Sequence, residues 1–304
     1  MSLFKESNEL FIEFLKIEKN ASPITITNYM DDINSFVQYL YEEGIQIFAS
    51  VDKQIVDSFM LSLYEQNLSQ SSISRKLSSL RSLYKFMERE KLVLNNPFIH
   101  VSVSRPKEQE PSFFEKEELE KLFSVSDLES PLGQRNQALL ELLYASGIRV
   151  SECVELNLKD LDFDLNTLFV TGKGNKDRYV LFGTYSEKAL KLYINNGRHS
   201  LLRKTNNPSD HLFLNAKGSS LTTRGVRLIL DKMVKSASLT VNIHPHKLRH
   251  TFATHMLNEG ADLRVVQELL GHEHLSSTQI YTHDSKDRLR NIYRNSHPRA
   301  KKRE

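Results

Sequence analysis

The sequence predicts a mainly α-helical protein with one small β-sheet, built as two domains. Three observations carry this. Apolar residues recur at helical spacing through most of the chain, whereas strand-like alternation is confined to about 167–182. The 304 residues exceed what one hydrophobic core commonly organises and suit two. The run Ser104-Arg105-Pro106-Lys107-Glu108-Gln109-Glu110-Pro111 has two prolines and no apolar side chain, which is the composition of a linker. Domains are therefore expected at 1–105 and 112–304, joined by a linker over 106–111.

In the first region, Leu10, Phe11, Phe14 and Leu15 mark one helix. Ser22-Pro23 supplies an N-cap and a first-turn proline for the next. There Ile26, Tyr29, Met30, Ile33, Phe36, Val37 and Leu40 form the apolar stripe, and Gly44 is the stop. Asp52 opens a third helix carrying Val56, Phe59, Met60 and Leu63. A fourth covers about 71–90. At about 100° per residue, its Ile73, Leu77, Leu80 and Tyr84 fall within an arc of about 60°, a core stripe. The opposite side carries Arg75, Lys76, Arg81 and Lys85 among Ser71, Ser72, Ser74, Ser78, Ser79 and Ser82. Positions 69–85 hold no acidic residue. A merely solvated face commonly mixes signs, because i,i+4 ion pairs favour a helix. Small hydroxyls between cations suit phosphate oxygens instead, which makes Arg75, Lys76, Arg81 and Lys85 candidate DNA-binding residues.

In the second region, an apolar helix over 134–145 is stopped by Gly147, and another starts at Val150. Residues 167–172 and 178–182 flank Lys173-Gly174-Asn175-Lys176-Asp177, a β-hairpin with Gly-Asn chemistry at its turn. Helices return over 186–195, 224–237, 246–258 and 262–270, with Gly260 and Gly271 closing the last two. Ser276 and Gln279 form a capping box for a short helix carrying Tyr281.

Composition narrows the function classes. Hydrophobic residues at 39% and charged residues at 26% describe an ordinary soluble chain. No apolar run approaches the ~20 residues of a membrane span. The start, Met1-Ser2-Leu3-Phe4-Lys5-Glu6, shows no export signal, so a cytoplasmic location is expected. Cys153, the single cysteine, excludes an internal disulfide and a thiolate-rich metal site. The net charge of +3 says little, but its distribution says more. Residues 1–105 carry 11 basic against 13 acidic residues, and 106–304 carry 30 against 25, a surplus suited to a polyanion.

Chemistry concentrates near the end. Seven of the 11 histidines lie in one stretch: His244, His246, His250, His255, His272, His274 and His283. A metal site is the obvious rival, since His246 and His250 share a helical face. The pattern H-E-x-x-H fails, however, because after His272-Glu273 the required position is Ser276. No metal or other cofactor is expected. Gly172-Lys173-Gly174-Asn175-Lys176 lacks the spacing of a P-loop, no serine sits in G-x-S-x-G, and no strand leads into a dinucleotide fingerprint. The stretch does offer donors without a carboxylate cluster: His246, Arg249, His272 and Tyr281 lie within 36 residues, Arg149 follows a helix-ending glycine, and Lys173 sits beside a tight hairpin turn. Two guanidiniums, an ammonium, two imidazoles and a phenol suit a site that handles an anion with protons to move.

The segments ASGIRVSE (145–152), TGKGNKDR (171–178), HPHKLRHTFATHML (244–257), LLGHEHLSSTQIYTH (269–283) and HPRA (297–300) resemble the tyrosine site-specific recombinases. Within them the likeness is to the bacterial Xer group, nearer its XerC than its XerD branch. It extends to SPITITNYMDDINSF (22–36) and SQSSISRKLSSLRSLYKF (69–86), and so spans essentially the whole chain. The resemblance implies a C-shaped two-domain clamp, with a helical, SAM-like core-binding domain and a catalytic domain. It implies Tyr281 as nucleophile, Arg149 and Arg249 clamping the scissile phosphate, and Lys173 as general acid to the leaving 5′ oxygen. His246 becomes the acid/base near the nucleophile, His272 a further phosphate donor, and Glu152 a support for Arg149. His244, His250, His255 and His283 are then structural, with His250 beside Arg249.

Physical chemistry agrees with that assignment. A phenol of pKa about 10 needs a base or a strong positive field to attack phosphorus at neutral pH. Paired arginines and an imidazole N–H can neutralise the charge that builds on the non-bridging oxygens, with no metal ion. A lysine can protonate the departing alkoxide. The 3′-phosphotyrosine so formed keeps the phosphodiester energy, so resealing needs no ATP.

The resemblance further implies a dif-like duplex site and a second, XerD-like recombinase in a heterotetrameric synapse. A DNA translocase as regulator, and chromosome-dimer resolution at cell division, follow from the same likeness. The alternative is an integrase of a mobile element, although no extra arm-site domain is expected here. The C-terminal segment around Ile292-Tyr293 is expected to dock on a neighbouring protomer, with Lys301, Lys302 and Arg303 exposed.

Overall fold

The computed structural model describes residues 3–103, 113–172, 176–239, 243, 245–271 and 283–300. The chain divides into two compact units, Met1–Gln109 and Glu110–Glu304. The expected linker over 106–111 lies outside the described residues.

The N-terminal unit is helical: α1 (Leu3–Ile17), α2 (Pro23–Glu42), α3 (Lys53–Glu65) and α4 (Gln70–Arg89). Ser22 caps α2 by accepting the Thr25 N–H, Asp52 caps α3 through Ile55, and Ser69 caps α4 through Ser72. One aromatic-rich core holds the helices together. Phe11, Phe36, Phe59, Tyr84 and Phe98 are essentially fully buried, and the Tyr84 hydroxyl donates to the Phe48 carbonyl at 3.1 Å.

The C-terminal unit is built on α5 (Lys116–Ser124), α6 (Pro131–Ser146) and α7 (Val150–Glu155). A three-stranded antiparallel sheet follows, with β1 (Leu161–Asp162), β2 (Thr167–Gly172) and β3 (Lys176–Leu181) in that order. The hairpin pairs Gly172 with Lys176, and its turn, including Lys173, lies outside the described residues. Next come α8 (Thr184–Leu192), a π-helical stretch Tyr193–Arg198, α9 (His199–Leu202), α10 (Thr223–Ser236), α11 (Pro245–Asn258), α12 (Leu263–Leu270) and α13 (His283–Ser296). The helix α6 is the axis of the unit, buried along most of its length and packed by α8 and α11.

Gly147 ends α6 for two reasons. Its φ of +60° is left-handed, and a Cβ there would lie 2.8 Å from the side chains of Phe252 and Leu270. The chain can therefore turn sharply between α6 and α7 and deliver Arg149 at the N-cap of α7.

The C-terminal segment, expected to dock on a neighbouring protomer, packs against its own chain in the single protomer described. Tyr293 is buried in its own chain, its hydroxyl donating to the Ala145 carbonyl at 2.9 Å and its ring stacked on His297. Ile292 packs against the same cluster. Arg299 forks onto the buried Glu141 carboxylate between the rings of Phe123 and Tyr185, and the Ala300 carbonyl accepts from Thr184. Docking Ile292-Tyr293 elsewhere would leave the Tyr293 phenol to find a new partner. Lys301, Lys302 and Arg303 lie outside the described residues. Among the described residues no helix is long and apolar enough to cross a membrane.

Candidate active site and nucleic-acid interface

Two of the expected site arginines meet in the C-terminal unit, and a third that the sequence did not single out joins them. Arg149 donates from Nη1 to Glu152 Oε1 at 3.0 Å, and its backbone N–H reaches Oε2 at 2.8 Å. Arg178, projecting from β3, grips the same carboxylate with both Nη atoms, at 3.0 and 2.9 Å. Burial opposes the Glu152 charge, but the bonds from Arg178 and Arg149 outweigh it and hold its pKa below the usual carboxylate range.

Arg249 comes from α11 and is anchored by backbone. Its Nη1 donates to the Gly147 carbonyl at 2.5 Å and its Nη2 to the Leu270 carbonyl at 2.6 Å. Both acceptors stand at helix ends, where carbonyls lack intrahelical partners. Burial, then the charges of Arg149 and Arg178, push its pKa down to about 10, so it remains cationic at neutral pH. Three guanidiniums around one carboxylate leave two net positive charges, partly withdrawn from water, with Arg149 still 35% exposed. Such a charge balance suits a tetrahedral anion.

His246 sits on the same helix as Arg249, three residues earlier, and is exposed. His255 is buried and shares a 2.8 Å hydrogen bond with the Tyr144 hydroxyl, a structural role as expected. His250 is half-buried. Lys173, His272, Tyr281 and His244 lie outside the described residues, as does the capping box at Ser276 and Gln279. No cluster of three or more potential metal ligands occurs among the described residues.

The cationic face of α4 differs from the expectation in detail. The buried Asp32 of α2 accepts from Arg75 at 2.5 Å and from Ser79 at 2.8 Å, and pairs with Lys76 at 3.6 Å. Ser79 is therefore buried, and the Lys76 side chain is only 13% exposed. Arg81 is spent on the carbonyls of Phe98 and Val101. On the helical wheel Lys76 and Arg81 flank the core stripe, which is why packing claims them. What faces solvent is Ser71, Ser74, Ser78, Arg75 and Lys85, within an arc of about 100°.

Sequence comparison places both units. Residues 112–288 match the model of the phage integrase family, and 9–91 match that of the phage integrase N-terminal SAM-like domain. The tyrosine recombinase XerC of Oceanobacillus iheyensis is 57% identical, over 96% of this chain and 96% of its own. That of Bacillus subtilis is 53% identical over 99% of both. Among solved structures, XerH bound to a palindromic difH substrate after cleavage aligns with a TM-score of 0.68 at 26% identity, covering 94% of this chain and 84% of that one. The chain belongs to the phage integrase family and is a tyrosine recombinase.

Proposed function

We propose that this recombinase cuts and rejoins duplex DNA at a short dif-like site through a 3′-phosphotyrosine link. In this reading it resolves chromosome dimers together with a second, XerD-like recombinase. The observation that carries it is the surplus of positive charge where Arg149, Arg178 and Arg249 gather around Glu152. Arg149 and Arg249 engage the non-bridging oxygens of the scissile phosphate, where charge grows as the phosphorus becomes five-coordinate. The Tyr281 oxygen bonds to phosphorus, and the bond to the 5′ oxygen breaks. Lys173 supplies a proton to that oxygen, while His246 manages the phenolic proton and His272 adds a donor. On α4, Arg75 and Lys85 are the cations positioned to meet phosphates, and Lys76 and Arg81 shape the face from within.

The near-full-length likeness to XerC proteins supports this reading, and so does the likeness to a XerH complex with its difH substrate. The test is incubation with a suicide duplex nicked beside the scissile position. The wild type should leave an adduct that survives SDS, and Tyr281→Phe should leave none. An adduct retained in Tyr281→Phe would refute the assignment of the nucleophile.

A further inference from the structure

We infer that Arg178 is a positioning residue for the reaction: it occupies Glu152 so that Arg149 keeps its guanidinium for the phosphate. This rests on the proposed role of Arg149 as a clamp.

The argument begins with strand alternation. Val180 faces the core, so Arg178, two residues earlier on β3, points to the same side, and its side chain is only 10% exposed. Among the described residues its Nε has no hydrogen-bond partner, so the return for burying this cation comes through Glu152 alone. Gly271 lets it lie there. The residue has φ +67°, and a Cβ on it would stand 2.7 Å from Arg178 Nε.

Glu152 is thereby filled. Each carboxylate oxygen accepts two bonds, one from the Arg178 fork and one from Arg149, whose contributions are one Nη1 and the backbone N–H. A carboxylate has about four acceptor positions, so none is left over. Arg149 spends one of its side-chain donors on the carboxylate and retains the rest. With Arg178 gone, a carboxylate 4% exposed would have one vacancy on each oxygen. The guanidinium already in contact is that of Arg149, and bidentate pairing is the favoured arginine–carboxylate geometry. Arg149 would turn onto Glu152, and the net charge of the cluster would fall from two to one.

The experiment is a double-mutant cycle in the full chain, read as the rate of adduct formation on the nicked duplex. Arg178→Gln should slow the wild type by about ten- to a hundredfold, the usual range for residues that orient a functional ligand. In an Arg149→Ala background the same change should alter the rate by less than about twofold, because its effect passes through Arg149. A duplex with a neutral methylphosphonate at the scissile position, which asks less of arginine charge, should restore part of the deficit of Arg178→Gln. Equal losses in both backgrounds would overturn the inference while leaving the clamp intact. A wild-type rate in Arg149→Ala alone would instead overturn the clamp itself. Should Arg178→Gln fail to fold, Arg178→Lys carries the same cycle, since it keeps the charge and loses the fork.

Discussion

Each unit of this chain buries one carboxylate beneath several cations, and the two arrangements finish with different charge available to a ligand. In the N-terminal unit Asp32 draws in Arg75 and Lys76, while Arg81 is consumed by two carbonyls. What remains outside is a serine surface with Arg75 and Lys85. In the C-terminal unit Glu152 is held by Arg149 and Arg178, and Arg249 stands beside them with its charge unneutralised. The lesson concerns what a buried acid does. Beside the serine-rich α4 it sets the spacing of cations, whereas beside three guanidiniums it organises them without cancelling them. Counting basic residues along a sequence therefore overstates the first surface and understates the second site.

The comparison is sharpest at two arginines that donate to carbonyls, Arg249 and Arg81. Arg249→Ala should lower adduct formation by about a hundred- to a thousandfold or more, as for loss of one transition-state donor. Arg249→Lys should rescue little, because a single ammonium cannot reproduce a fork on both Gly147 and Leu270. A near-normal rate in Arg249→Lys would reduce the residue to a point charge.

Acid should separate the units as well. His297 is buried among Tyr144, Phe252 and Tyr293, and burial lowers its pKa from 6.5 to about 3; His255 is lowered in the same sense. Both groups bind protons more readily when unfolded, so the C-terminal unit should lose stability as pH falls from about 6.5 towards about 3. Glu141, raised by burial despite Arg299, acts in the opposite sense where carboxylates titrate. The N-terminal unit has a single histidine, the exposed His100. Hydrogen exchange at stepped pH should therefore show α13 amides losing protection before those of α4, and His297→Gln should narrow the gap. Simultaneous loss in both helices would argue against a buried neutral imidazole as the cause.

The smallest expected effects lie on α4. Arg81→Ala should destabilise the N-terminal unit by about 1–3 kcal/mol, the cost of leaving part-buried carbonyls unpaired, with little change in the salt dependence of DNA binding. Lys85→Ala should do the reverse. Its denaturation midpoint should barely move, while the slope of log affinity against log salt should fall by about one. Reversal of this pattern would return Arg81 to the phosphate face.

Much of this was legible because it is local. Ser22, Asp52 and Gly147 cap or stop helices through atoms a few residues away, so the caps read in the sequence are the caps in the fold. The two-residue β1 was not legible, since it exists only by pairing with β2. The signal for Arg178 is its place on the strand: it shares a face with Val180, and an arginine on an inward face needs a buried acid.

By itself, then, the sequence determined the helices, the hairpin and the order of the candidate residues, because propensity, capping and periodicity act over one or two turns. Only the tertiary structure decided how the charges are shared. Arg178 lies 26 positions from Glu152, and Arg249 lies 102 from Gly147. A desolvated carboxylate or carbonyl takes whichever donor packing brings within about 3 Å, and chain order does not set that distance.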